Sequence, residues 1–339
     1  MENPLVDLSI GMDYDLRSRL ESQSYHLVGA HSGVKLCHWT KKDVKDKSED
    51  KGSCYKHKFY GVESYRCMQV SPALTWCTER CSFCWRSESY ASGDDMSNVK
   101  HEDPREIILG MIEGQRKLLS GYGGNQEVSR EHWERSLKPK HVAISLSGEP
   151  TLYEHLDEFL EICHELGMST FLVTNGTQPK VLENLNTLPT QLYLTLAGAT
   201  KNTHSAITRP FNPQESWNNL LETIELFPSL NTRKVIRMTL VKGKNMKEAE
   251  SYANMFEKSE AHFLEAKGFV SVGDARNNYG YDRMPNLIDI VEFSESICDK
   301  TENRLKIIDQ SASSCAVLMA KEDYSWRKFD DNDFKPNYK

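Results

Sequence analysis

Cys77-Thr-Glu-Arg-Cys81-Ser-Phe-Cys84 sets three thiols at spacings of four and three residues, directly after an apolar run over 70–76. Soft thiolates this close together select iron–sulfur clusters, zinc or copper(I) over hard cations. Their number narrows the choice. Structural zinc takes four ligands, commonly as two separated pairs, and a ferredoxin cluster takes four thiolates. Three cysteines leave a cubane [4Fe–4S] one protein ligand short, so one iron stays open to bind a small molecule. A zinc knuckle with its fourth ligand elsewhere is the plain alternative on spacing alone.

Outward from this turn the pattern alternates. Strands are predicted over 70–76, 142–147, 170–174, 192–196, 235–241 and 262–266, with short late strands over 305–308 and 316–319. Helices are predicted over 103–119, 152–166, 179–186, 214–227, 246–258 and 287–298. Such alternation implies a parallel sheet with helices outside it. Five or six units curl into a partial barrel, whose functional groups collect at the carboxyl ends of the strands. The expected fold is α/β: a partial (βα)6 TIM-like barrel over 70–339, preceded by an N-terminal extension over 1–69. In that extension, 14–26 is weakly amphipathic and 41–52 reads as an exposed, charged loop.

The chain has 339 residues and a net charge of -7, which predicts a soluble protein and does not suggest a strongly basic nucleic-acid binder. No apolar run approaches the ~20 residues of a membrane helix, and the amino terminus lacks a signal-peptide pattern. Nine cysteines, an odd number, fit reduced thiols and metal in a cytoplasm better than a disulfide framework. A monomer is expected.

Several strand ends carry polar motifs. Ser147-Gly148-Glu149-Pro150-Thr151 offers a carboxylate on a glycine turn, and Val173-Thr174-Asn175-Gly176-Thr177 is a tight turn after the next strand. Each alone is ordinary turn chemistry. Arg237 lies in an apolar strand, where an unpaired charge is costly, so an internal ion pair or an anionic ligand must meet it. Cys163, Cys298 and Cys315 fit buried apolar positions. Cys37, Cys54 and Cys67 sit in polar sequence ahead of the barrel and form a possible second thiol set.

The CxxxCxxC spacing, with Phe83 before the last cysteine, resembles the radical S-adenosylmethionine (SAM) enzymes. That resemblance implies a [4Fe–4S] cluster on Cys77, Cys81 and Cys84, whose open iron is chelated by SAM. It implies that Ser147, Gly148 and Glu149 stand for the GGEP-type motif that holds the SAM amino group. Phe83, Thr174 and Asn175 become cofactor contacts, and Arg237 a partner for the SAM carboxylate or a tRNA phosphate.

A narrower resemblance covers nearly the whole chain. The three upstream cysteines, Cys54-Tyr55-Lys56-His57-Lys58-Phe59-Tyr60-Gly61, Arg209-Pro210-Phe211, Ser216-Trp217 and Lys267-Gly268 resemble the archaeal tRNA 4-demethylwyosine synthases. This implies condensation of N1-methylguanosine in tRNA-Phe with carbons 2 and 3 of pyruvate. It also implies a second [4Fe–4S] cluster on Cys37, Cys54 and Cys67, and a Schiff base between pyruvate and Lys56, with Lys58 as the rival lysine. No flavodoxin-like domain is seen, so a separate one-electron donor of flavodoxin or ferredoxin type is expected. Lys41, Lys42, Lys56, Lys58, Lys138, Lys140, Arg233, Lys234, Lys242, Lys244 and Lys247 are the basic groups for tRNA. Trp39, Trp85, Trp217 and Trp326 are the aromatic candidates for base stacking. A radical SAM activating or peptide-modifying enzyme, and a non-catalytic Fe–S or zinc RNA-binding protein, are the rival readings.

Overall fold

The computed structural model describes residues 11–45, 54–86, 91–330 and 332–337. In chain order the N-terminal part comprises α1 (Tyr14–Ser22), β1 (His26–Val28), β2 (Ser32–Lys35), α2 (His38–Lys45) and α3 (Tyr55–Tyr60). Six strands then alternate with helices: β3 (Cys67–Ser71), α4 (Pro104–Leu119), α5 (Arg130–Ser136), β4 (His141–Ile144), α6 (Leu156–Glu165) and β5 (Ser169–Thr174). There follow α7 (Pro179–Glu183), β6 (Gln191–Thr195), α8 (Lys201–Thr208), α9 (Pro213–Leu226), β7 (Arg233–Leu240), α10 (Ala249–Ser259) and β8 (Phe263–Gly268). α11 (Ala275–Asn278), α12 (Leu287–Lys300), β9 (Lys306–Ser311) and β10 (Ala316–Ala320) complete the chain's elements.

One sheet runs β1-β2-β3-β4-β5-β6-β7-β8-β10-β9. β3 to β8 are parallel, as the strand–helix alternation requires, and both flanks are antiparallel. The partial barrel is thus extended at each side. The 69/70 boundary drawn from sequence falls inside β3, and β2 pairs directly with that strand.

Period-two alternation divides the strands between two cores. Val142, Ile144, Leu172, Leu192, Ile236, Met238 and Leu264 face the helices, where they meet Ile108, Phe159, Leu220 and Phe256. The opposite positions Phe171, Tyr193, Val235 and Phe263 face inward and meet Tyr55, Phe59 and Tyr60 of α3. α3 therefore fills the inside of the sheet, although its residues read as loop-like sequence. Residues 41–45 likewise belong to α2, with Asp43 and Val44 buried, so the predicted exposed loop is wrong there. Asp43 accepts the Tyr65 backbone N–H at 3.0 Å, which explains a buried charge in an acidic-basic run. The rest of that predicted loop, 46–52, lies outside the described residues.

The first barrel strand also ends early. It stops at Ser71 because Pro72 has no N–H for the ladder. Residues 73–76 instead lead into the cysteine turn, and the Trp76 carbonyl accepts the Glu149 N–H at 2.8 Å. A C-terminal strap covers the amino-terminal end of the strands. Arg327 donates to the Phe59 carbonyl and pairs with Asp309 and Asp323, and the Phe329 N–H reaches the Tyr60 carbonyl.

Candidate active site

The cysteine turn is held by a helix end. The last carbonyls of α8 have no partner within their own helix. Ile207 and Thr208 accept instead from the Ser82 and Arg80 N–H groups, at 2.8 and 2.9 Å. Arg209 Nε closes the clamp on the Arg80 carbonyl at 2.9 Å. Cys77, Cys81 and Cys84 face one cavity of about 370 Å³ at the carboxyl ends of the strands. Burial pushes the Cys77 thiol up to about 12 and also raises Cys81, with Glu79, Cys77 and Cys84 adding to the effect on Cys81.

All the residues expected from sequence to contact cofactor line this same cavity: Phe83, Ser147, Gly148, Glu149, Thr174, Asn175 and Arg237. Gly148 has φ +74°, and a Cβ there would overlap the Ala73 and Trp76 carbonyl oxygens. Glu149 is almost fully buried, which raises its carboxyl, while four hydrogen bonds oppose that shift. Its Oε1 accepts from the Thr151 and Thr174 hydroxyls at 2.7 Å each and from the Thr151 N–H at 3.2 Å. Its Oε2 accepts the Asn175 N–H at 2.8 Å and keeps capacity for a second donor. The Asn175 amide donates to Thr78 Oγ1 at 2.8 Å and approaches Cys77 Sγ at 3.9 Å. The Thr-Asn-Gly turn thus braces the cysteine turn.

Deeper in the barrel lies a second group. Burial pushes Cys54 up to about 11, with Cys37 adding to the shift, and lifts Cys67 to about 12. Cys37, Cys54 and Cys67 stand within electrostatic reach of one another, brought together by the start of α2, the N-cap of α3 and the start of β3. Lys56 is buried beside Cys54 and Cys67, with Nζ 4.5 Å from the Tyr193 ring centre and 5.0 Å from that of Phe171. Burial, then Arg237, lowers its pKa. Lys58 points the other way: its side chain is 54% exposed and pairs with Asp309 on β9.

No three His, Cys, Asp or Glu side chains among the described residues converge on the point that a single metal ion would occupy. Each thiolate of a cubane binds a different iron, so a cluster does not ask for such convergence. Both triads offer partly buried thiols, whose donor type suits iron–sulfur chemistry once metal displaces their protons.

Some site residues escaped the sequence reading. Gln69, Ser145, Thr195 and Thr239 line the cavity from inward positions near strand ends, and a polar residue breaking an apolar strand is their signal. Arg86, two residues after the last cysteine, donates to the Thr75 carbonyl at 2.8 Å, and its charge lowers Cys77 against the effect of burial. Lys267 also lines the cavity, and burial, then Arg237, brings it down to about 8. The basic groups do not gather on one face. Lys140 is buried on Glu63, Arg233 and Lys234 bond backbone carbonyls at the amino-terminal strand ends, and Trp326 stacks there on Tyr324. Trp85 alone of the four tryptophans lines the cavity.

A partial α/β barrel with a thiol triad at its strand ends defines a radical SAM enzyme, and residues 72–256 match the family model described as Radical SAM superfamily. Residues 258–321 match the one described as Wyosine base formation. The S-adenosyl-L-methionine-dependent tRNA 4-demethylwyosine synthase of Pyrococcus abyssi is 40% identical over 94% of this chain and 92% of its own length. That of Methanocaldococcus jannaschii is 34% identical over 89% and 94%. A solved structure of TYW1 with a lysine–pyruvate adduct bound superposes with a TM-score of 0.81 at 32% identity, covering 94% of this chain and 98% of that one. The chain belongs to the tRNA 4-demethylwyosine synthase family. Both rival readings are thereby set aside. Among the described residues, no helix is long and apolar enough to cross a membrane.

Proposed function

We propose that this protein joins N1-methylguanosine of tRNA-Phe to carbons 2 and 3 of pyruvate, forming the tricyclic 4-demethylwyosine base. The observation that carries the reading is Lys56: an amine buried inside the barrel, beside Cys54 and Cys67 and within electrostatic reach of Arg237 on the cavity wall. A lysine kept from water is suited to attack a keto carbon, releasing water and forming an imine. The lysine–pyruvate adduct of the related TYW1 structure supports the same chemistry.

Cys77, Cys81 and Cys84 would hold one [4Fe–4S] cluster, and Cys37, Cys54 and Cys67 a second. Glu149 would accept from the SAM ammonium through its less occupied Oε2, with Thr174 and Thr151 fixing the carboxylate. Ser147 and Gly148 shape the wall beside it, Asn175 holds the turn in place, and Phe83 offers an apolar face to the cofactor. Held there, and with electrons from a separate flavodoxin- or ferredoxin-type donor, the cluster and SAM would supply a 5′-deoxyadenosyl radical able to take hydrogen from an unactivated methyl group. The barrel wall and α3 keep water from the amine and from the reacting methyl group.

Two measurements test this. After oxygen-free reconstitution, wild type should hold about eight irons per chain and the triple variant Cys37→Ala/Cys54→Ala/Cys67→Ala about four. Equal iron in both would remove the second cluster from the reading. Lys56→Ala should still cleave SAM to 5′-deoxyadenosine while giving no tricyclic base, and product from that variant would exclude Lys56 as the imine lysine.

A further inference from the structure

Two cations on the inward face of the barrel form no ion pair among the described residues. Arg237 and Lys267 rise from the adjacent strands β7 and β8, two registers apart on the inward face, and both line the cavity. Among the described residues neither reaches a carboxylate at ion-pair distance, and Lys267 donates only to the Ser314 carbonyl, at 3.3 Å. Their guanidinium and ammonium groups lie 5.8 and 6.0 Å from the centre of the same ring, Tyr55. The carboxylate among their charged neighbours is Glu265, whose Oε1 accepts from the Tyr60 hydroxyl at 2.6 Å and whose buried Oε2 meets no hydrogen-bond donor among the described residues. The pair thus sets two cations against that one acid. Half-buried charges without an ion-pair partner are unfavourable, so a site that receives an anion between them is the economical explanation.

We propose that Arg237 and Lys267 are the receptor for the carboxylate of the 2-oxoacid whose keto carbon Lys56 attacks. The inference rests on the imine reading of Lys56 given above. It reassigns Arg237, expected from sequence to meet the SAM carboxylate or a tRNA phosphate. The position decides between them. Around Arg237 stand Tyr55, Glu265, Tyr193 and Cys54, the surroundings of Lys56, whereas the charged neighbours of Cys77 are Arg86, Glu149 and Glu79. A guanidinium and an ammonium on one carboxylate fix its plane and charge. In a 2-oxoacid the keto carbon is the next atom, so holding the carboxylate sets that carbon before the amine. A neutral ketone gains nothing from the pair. Arg237 and Lys267 are therefore specificity-determining and positioning residues.

The test reads the adduct rather than turnover. Full-length, reconstituted protein is incubated with equimolar pyruvate and acetone and reduced with cyanoborohydride. The Lys56 peptide is then weighed for each adduct. Wild type should favour pyruvate by about tenfold to a hundredfold, the range of a hydrogen bond to a charged group. Lys267→Met and Arg237→Met should bring the ratio toward unity, and Lys267→Arg should restore most of it. Because the readout is a ratio within one sample, a partly unfolded variant still reports. A ratio unchanged in Lys267→Met overturns the receptor and leaves the imine standing. Weakened SAM binding in an equilibrium-dialysis control, with the ratio kept, gives the pair to SAM and overturns it as well. If wild type forms neither adduct at Lys56, the imine reading itself fails and the receptor falls with it.

Discussion

Gly148 shows how little room single positions leave. Its left-handed backbone and the two carbonyl oxygens facing it make any side chain intrude on the cysteine turn. Gly148→Ala should cost about 2 kcal/mol or more and weaken SAM binding, read by thermal melting and by calorimetric titration with SAM. Lys56 and Lys58 make the complementary point. They lie two residues apart in a six-residue helix, yet one is buried in the barrel and the other sits outside against Asp309. Residues in strand-end motifs, such as Glu149 and Asn175, were legible because a turn after an apolar strand has a known address. Arg86 was not, and Lys267 was quoted only for its resemblance, because a lone cation in a sequence does not reveal what it faces in the fold.

At the scale of elements, the parallel strands and the helices outside them were readable from period and breakers. Helix α4 begins where Asp103 caps the Arg105 and Glu106 N–H groups ahead of Pro104, as its sequence announces. The short helices α2, α3 and α8 were missed, since six to eight residues are too few for a repeat to declare itself and such helices are held by tertiary packing. The turn joining α3 to β3 depends on Glu63, which accepts from Lys140 at 2.6 Å, Tyr65 at 2.7 Å and Arg135 at 2.8 Å. Burial alone would raise this carboxyl, but the Lys140 and Tyr65 hydrogen bonds and the nearby charges hold it down to about 2. Its folded pKa lies below its unfolded one, so the stability it contributes is present above about pH 4.5. It is lost as pH falls toward 2. Denaturant midpoints measured from pH 6 to pH 3 should therefore drop more in wild type than in Glu63→Gln.

The whole molecule is tied at both ends of its sheet, and the C-terminal strap was invisible in the sequence because its aromatics serve a surface built elsewhere. Arg327 secures it through Asp309, Asp323 and the Phe59 carbonyl. Arg327→Ala should destabilise the fold by about 3 kcal/mol and loosen α3, which hydrogen exchange at Phe59 and Tyr60 would register. The middle of the barrel is a different matter. Where a (βα)8 barrel packs layers of branched apolar side chains, this one places Gln69, Ser145, Thr195, Thr239 and two cations around a cavity. That layer contributes little cohesion until something occupies it. A small molecule that binds this cavity stabilises the fold in proportion to the logarithm of its excess over Kd, by about 2.7 kcal/mol at a hundredfold excess, and raises the melting point accordingly. A simple heating curve, run in an anaerobic cuvette with no electron donor and no RNA, can therefore rank small acids and cofactor analogues by how firmly they seat, long before turnover is achieved.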